Sequence, residues 1–155
     1  MIFRQWKQVL DGTKTQTRRP CKGEDEEYTW CTPTVDDGLV TGHRILEVCV
    51  VGAKKNYLRW AVGKTYAVQP GRGKKAVGRI RITKIRRQEL QGIMPLDIMA
   101  EGIEPIRVTP NRFMAEVRLE DFAQLWDCIY RKPYRWEDNP DVWVLEFELV
   151  KGSES

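Results

Sequence analysis

Apolar residues recur at helical spacing in three stretches of the chain. The first stretch ends at Asp11-Gly12 and contains Ile2, Phe3, Trp6, Val9 and Leu10. A second, short helix is expected from Pro95 to Gly102, because proline suits a first helical turn and glycine suits a helix end. A longer apolar stripe predicts a third helix and consists of Leu119, Phe122, Leu125, Trp126, Ile129 and Tyr130.

Strands are predicted where apolar and polar residues alternate. This pattern covers residues 44–51, 66–69 and 76–85, and the closing segment VWVLEFELV at 142–150. By contrast, residues 22–37 are polar, acidic and rich in turn-forming residues, so an irregular segment is expected there.

The order of these elements predicts an α+β fold in a single domain. A chain of 155 residues, 41% of them hydrophobic and 31% charged, is large enough for one hydrophobic core. No internal repeat or low-complexity linker divides the chain, so the helices and strands are expected to pack together.

The segment DGTKTQTRRPC, residues 11–21, follows the first predicted helix and concentrates hydroxyl and cationic side chains. Its threonines alternate with Lys14, Gln16 and Arg18, and a period of two suits an extended strand. The segment is expected to be polar and exposed, as most charge runs are. In an ideal strand Lys14 and Thr17 point to opposite faces, so a joint role for them requires a bulge or a turn.

Positive charge is concentrated in the first ninety residues. The chain has 26 Lys and Arg against 22 Asp and Glu, a net charge of +4, and its last third is mainly acidic. This distribution favours an anionic partner for the basic half. The loop PGRGKK does not have the P-loop pattern. This loop and the strand after it are expected to contact nucleic acid through Arg72, Lys74, Lys75, Arg79 and Arg81.

No apolar run approaches the roughly 20 residues that span a bilayer, and the first residues lack the pattern of a secretory signal. We therefore expect no membrane partner and a cytoplasmic location. The cysteines, Cys21, Cys31, Cys49 and Cys128, have no CxxC spacing, and His43 lies in a glycine-containing turn. Neither a metal site nor a cofactor is expected, and the cysteines are expected to be free thiols.

Three segments, in this order, resemble the ASCH domain family of the PUA-like superfamily, in its bacterial and phage form. They are GTKTQTRR, LQGIMPLDIMAEGI and LWDCIY followed by WEDNPDVWVLEFELV. The resemblance covers most of the chain outside an irregular insertion at about 21–58. It implies a small mixed β-barrel with flanking helices.

The resemblance also implies a partner, which is RNA or a modified nucleoside. One branch of the superfamily hydrolyses the acyl amide of N4-acetylcytidine with a lysine, a threonine and a glutamate. Its K-T-x-T motif matches Lys14 to Thr17, and its glutamate matches Glu101 in MAEG. The arginine that follows the motif matches Arg19, and Arg18 beside it is a further candidate for substrate binding.

Amide hydrolysis requires a nucleophile, a base that activates it and an acid for the departing amine. Thr17 is the candidate nucleophile. Lys14 can act as the base only if burial or neighbouring cations lower its pKa, and Glu101 would be the acid or would orient the amine.

Two alternatives remain open. Lys14 and Arg19 could bind phosphate while Glu101 forms a structural ion pair with Arg19, which describes a non-catalytic RNA-binding module. A ribonuclease in which the lysine and the glutamate act on a ribose 2′-hydroxyl is the other. The sequence leaves the oligomeric state open.

Overall fold

The computed structural model describes residues 1–21, 26–51, 56–103, 107–108, 115–116 and 119–150. Its helices are α1 (Trp6–Asp11), α2 (Pro95–Ala100) and α3 (Leu119–Ile129). Its strands are β1 (Gln16–Pro20), β2 (Glu26–Asp36), β3 (Leu39–Val51), β4 (Asn56–Ala61), β5 (Thr65–Val68), β6 (Gly78–Glu89), β7 (Arg107–Val108), β8 (Ala115–Glu116) and β9 (Asp141–Val150). No helix in these ranges is long and apolar enough to cross a membrane.

One curled antiparallel sheet organises the fold. Its strand order is β1-β9-β6-β3-β2, with β4 paired to β3 and β5 paired to β6, while β7 and β8 pair separately. The sheet forms a half-barrel, and with its few helices the protein has a mixed α+β fold. Strand β1 is the end of the strand order, so one of its edges has no neighbouring strand among the described residues.

Strand β9 is buried on both faces because the sheet has a core on each side. Trp143 and Leu145 pack with Ile82 inside the curl of the sheet. Val142 and Val144 point to the other face and pack against α2 and α3. The two helices are therefore held against the back of β9, next to β1.

Helix α1 begins later than the apolar spacing predicts, because the first residues bond to the end of β5. The Phe3 N–H donates to the Gln69 carbonyl at 2.9 Å, and the Gln69 N–H donates to the Met1 carbonyl at 2.9 Å. Gly12 ends α1 with φ 84°, and its N–H donates to the Val9 carbonyl. The predicted helix end at this glycine is confirmed, since a positive φ favours glycine.

The predicted strands at 44–51, 66–69, 76–85 and 142–150 are confirmed with shifted ends, as are the second and third helices. The irregular segment expected over 22–37 is wrong, because β2 occupies Glu26–Asp36 and pairs with β3. Its position at the end of the sheet order explains the error, since edge strands tolerate the charges and proline that were read as turn signals.

Candidate functional site

The segment between α1 and β1 is fastened to the end of α2. The Lys14 N–H donates to the Gln8 carbonyl at 3.0 Å, and the Thr15 N–H donates to the Ala100 carbonyl at 2.7 Å. Side chains alternate between the two faces of a sheet only within a strand. Because β1 begins at Gln16, this alternation does not fix the direction of the Lys14 side chain. Its side chain therefore points towards Glu101, the residue that follows α2.

Glu101 lies between two buried cations. The Lys14 Nζ is 2.7 Å from Glu101 Oε2 and also donates to the Glu101 main-chain carbonyl at 2.9 Å. The Arg18 Nη1 is 2.7 Å from Glu101 Oε1. Lys14, Arg18 and Glu101 are each at most 5% exposed. Both carboxylate oxygens are thus occupied by charged donors in a site that solvent barely reaches.

A second group of polar side chains fixes the Arg18 guanidinium. Its Nη1 donates to Gln16 Oε1 at 3.0 Å and its Nη2 donates to Gln88 Oε1 at 2.8 Å. Asp97 lies 3.6 Å from Nη2 and also accepts from the Gln16 amide at 3.1 Å. The Nε of Arg18 is buried without a hydrogen-bond partner in the described part of the chain.

Burial lowers the pKa of Lys14 below the ordinary lysine value, because the charged amine is cut off from water. The carboxylate of Glu101 acts in the opposite direction by attraction and by its hydrogen bond. Arg19 and Arg18 lower the pKa further through repulsion. Lys14 can act as a base only if burial or neighbouring cations lower its pKa. Both are present at this position.

The Lys14–Glu101 pair opens onto a cavity of about 160 Å³. Three elements form its walls, and they are the N-terminal segment, β1 and α3. Its polar lining includes Lys14, Thr17, Arg18, Arg19 and Glu101. Its apolar lining includes Phe3, Phe122, Leu125, Trp126, Ile129 and Tyr130. The cavity is therefore lined by both charged and aromatic side chains.

The size of the cavity limits what it can hold. An apolar cavity of about 150 Å³ accepts one benzene ring, whereas pockets for drug-sized ligands measure roughly 300–1,000 Å³. At about 160 Å³ the cavity is large enough for one six-membered ring. The Trp126 indole N–H already donates to the Tyr134 carbonyl at 2.6 Å, so this ring offers a ligand its apolar surface.

The structure brings together five of the residues that the sequence selected and leaves the other five apart. Lys14, Thr17, Arg18, Arg19 and Glu101 line the cavity. Arg72, Lys74, Lys75, Arg79 and Arg81 are exposed and are not among the residues that line it. Two of these cations are engaged on the surface, since Arg79 donates to Thr65 at 3.1 Å and Arg81 lies 3.4 Å from Glu148.

The expected exposure of the polar segment and the alternative Glu101–Arg19 ion pair are both wrong. The segment is not exposed at Lys14, which is 5% accessible. Lys14 and Thr17 line one cavity because Lys14 lies between the turn that ends α1 and the strand, as the expected bulge or turn requires. Glu101 pairs with Lys14 and Arg18, whereas Arg19 donates to the Ile2 carbonyl at 2.8 Å and its guanidinium lies 5.5 Å from the Phe3 ring centre.

The sequence did not predict that Gln16, Gln88 and Asp97 hold the Arg18 guanidinium in place. No sequence signal marks them, because they come from three different elements. The apolar stripe of α3 was predicted only as one face of a helix, with no part in the site. Phe122 and Trp126 are indeed buried in the core, but the same stripe forms the cavity wall.

Among the described residues, no cluster of His, Cys, Asp and Glu could hold a metal ion. Cys21, Cys49 and Cys128 form no disulfide within the described residues. The side chains of Cys31 and His43 lie outside the described part of the structure.

Comparison with protein-family models, with curated proteins and with solved structures returned no match to this chain.

Gly102 couples the end of α2 to Lys14, and its replacement by alanine tests that contact. Gly102 has φ 93°, and an added Cβ would lie 3.2 Å from the Lys14 Cβ. Gly63 has a similar φ of 89° but open space around it. We expect Gly63→Ala to cost about 1–2 kcal/mol of stability from backbone strain alone. Gly102→Ala should cost more in urea denaturation, and equal losses would contradict tight packing against Lys14.

Proposed function

We propose that this protein is an ASCH-type, PUA-like amidohydrolase that removes the acyl group from an N4-acylated cytidine. The observation that carries the proposal is the buried Lys14–Glu101 ion pair, which opens with Thr17 onto a one-ring cavity. A cytosine ring matches the cavity in size. The aromatic wall of α3 supplies surfaces on which a base packs.

The proposed reaction uses Thr17 as the nucleophile. The neutral amine of Lys14 takes the hydroxyl proton, and Thr17 Oγ bonds to the acyl carbonyl carbon. The carbon–N4 bond then breaks, and the Lys14 ammonium returns its proton to N4, which leaves cytidine and an acyl-threonine ester. A water molecule, deprotonated by Lys14, hydrolyses the ester to release the carboxylic acid and restore Thr17.

Glu101 has a positioning role in this reaction. Its two oxygens hold Lys14 and Arg18 at 2.7 Å each, so it fixes the direction of the amine. Arg18 draws part of the carboxylate charge away from Lys14. This sharing weakens the attraction that would keep Lys14 protonated, and it favours the neutral amine that the reaction requires.

The burial of Lys14 and Glu101 favours a catalytic role for Lys14 over simple phosphate binding. Removing paired charges from water costs several kcal/mol per ion, and a phosphate contact does not require it. A lysine that acts as a base, by contrast, needs a lowered pKa, and burial lowers it.

The pH dependence of acetate release tests the proposal directly. Because Lys14 must be neutral to act as a base, kcat/KM for N4-acetylcytidine should rise with pH and level off above the pKa of Lys14. That pKa is lower than the ordinary value of 10.5, so the midpoint should lie below 10.5. Release of acetate that does not change with pH would contradict a lysine base.

A second role, contact with RNA, is favoured by the exposed cations near the loop at residues 70–77. Arg72, Lys74 and Lys75 lie in this basic loop, which follows the Gln69 that pairs with the N-terminal wall of the cavity. A nucleotide in the cavity could thus extend its phosphates towards the loop.

Salt titration tests the RNA contact. Affinity for single-stranded RNA should fall with a log–log slope of about −0.7 per neutralised phosphate. The double variant Lys74→Glu and Lys75→Glu should flatten that slope, whereas Lys64→Glu, at the other end of β5, should leave it unchanged. Equal slopes in all three proteins would contradict a role for the basic loop.

A further inference from the structure

The hydrogen-bond register of β1 determines which of its main-chain groups point away from β9. The Phe147 N–H donates to the Thr15 carbonyl and the Cys21 N–H donates to the Asp141 carbonyl, each at 2.9 Å. Residue pairs in this antiparallel ladder keep one register from Gln16 to Pro20. Since bonded and non-bonded pairs alternate in such a ladder, Thr17 and Arg19 bond to β9. The main-chain groups of Gln16, Arg18 and Pro20 therefore point away from β9.

Of these three residues, Arg18 is the one that lines the cavity, and it carries both a main-chain donor and a main-chain acceptor. Proline has no N–H, and neither Gln16 nor Pro20 lines the cavity, whereas Arg18 does. Among the described residues, none outside β9 hydrogen-bonds to the Arg18 N–H or carbonyl. Arg18 is 3% exposed, and buried main-chain groups are nearly always paired. A ligand can supply this missing partner.

We propose that the Arg18 main chain pairs with the N3 edge of a pyrimidine nucleoside, so that this edge strand selects the base. One extended residue offers an N–H next to a C=O. Cytosine presents an acceptor at N3 next to a donor at N4, and uracil presents a donor at N3 next to an acceptor at O4. An N4-acylated cytosine keeps its N4–H, so it can make the same pair.

The cavity supports this choice of ligand in two ways. Its volume of about 160 Å³ is enough for one six-membered ring. The apolar side chains of α3, including Phe122 and Trp126, form a wall on which the ring can pack while its polar edge meets β1. The inference rests on the proposed function in taking a nucleoside as the occupant, but it does not require hydrolysis.

Two uridines that differ only in the position of one methyl group test the pairing. 3-Methyluridine cannot donate from N3 and places its methyl group against the Arg18 carbonyl, whereas 5-methyluridine keeps the N3 edge intact. We expect 3-methyluridine to bind at least tenfold more weakly than 5-methyluridine in calorimetry. Equal affinity of the two would overturn the inference.

The amide resonance of Arg18 gives a second readout in ¹⁵N-labelled protein. Cytidine and uridine should move it downfield, as a new hydrogen bond does. Leu125→Trp, which fills the cavity, should remove this response, and Leu96→Trp, at a side chain 79% exposed, should keep it. An Arg18 amide that does not move while the Trp126 indole resonance does would overturn the pairing.

Different results would overturn the pairing of Arg18 with a pyrimidine and the hydrolase activity. Acetate release from N4-acetylcytidine with an unchanged Arg18 amide would overturn the pairing and leave the hydrolase. A shifted Arg18 amide without acetate release would support the pairing and contradict the hydrolase. Absence of any pyrimidine binding at millimolar concentration would overturn both.

Discussion

Lys14→Arg is expected to lower acetate release from N4-acetylcytidine by about 10²-fold or more, the usual contribution of a general base. Arginine keeps the positive charge beside Glu101 but stays protonated at working pH, so it cannot accept the proton of Thr17. The measurement is kcat/KM for acetate release. Folding of the variant is checked by its thermal unfolding and by its affinity for cytidine.

Lys75→Arg is the matched control, because it makes the same chemical change at an exposed lysine outside the cavity. Its rate should equal that of the wild type. A folded Lys14→Arg variant with the wild-type rate would exclude Lys14 as the base. A wild type that releases no acetate, but binds RNA equally well with lysine or arginine at position 14, would identify a recognition module instead.

Glu101→Gln is expected to destabilise the protein by about 3–5 kcal/mol, as loss of one partner from a buried ion pair does. The substitution nearly preserves the shape of the side chain but leaves Lys14 and Arg18 as two buried cations without their shared counter-charge. The free energy of unfolding in urea measures the loss. An unchanged urea slope would show that the folded and unfolded states keep their compactness.

Glu148→Gln provides the contrast, since Glu148 pairs with Arg81 at 3.4 Å on the surface and its side chain is 57% exposed. Exposed pairs contribute about 0–1 kcal/mol, so this variant should stay close to the wild type. Similar losses in the two variants would mean that Glu101 is not a buried counter-charge.

The deficit of Glu101→Gln should shrink as pH rises from neutrality towards 10.5. Burial holds the folded-state pKa of Lys14 below 10.5, so its charged form costs stability below that folded pKa, and the cost disappears as pH approaches 10.5. Glu101 raises the pKa of Lys14, so the Glu101→Gln substitution lowers that pKa further. The stability cost of the buried Lys14 charge therefore begins to fall at a lower pH than in the wild type. Arg18 also loses its partner in this variant, so part of the deficit should persist.

Local sequence signals were sufficient for several elements of the fold. Gly12 and Gly102 end helices at positive φ, and Pro95 occupies the first turn of α2, because these residues act through their own backbone geometry. The apolar stripe predicted α3 because its burial follows helical spacing. Strands β2 and β4 were not predicted, since both depend on pairing with β3, and in β2 this pairing overrides a polar and acidic composition.

The candidate site divides in the same way. The sequence pointed to Lys14, Thr17 and Glu101 through its resemblance to the ASCH family, and those residue types suit a base, a nucleophile and an acid. Only the tertiary structure decided that Lys14 is buried, that Arg18 and not Arg19 pairs with Glu101, and that α3 completes the cavity. The reason is physical: Glu101 is 87 residues from Lys14 and 83 from Arg18 in the chain, and no local pattern records which groups such long-range packing removes from water.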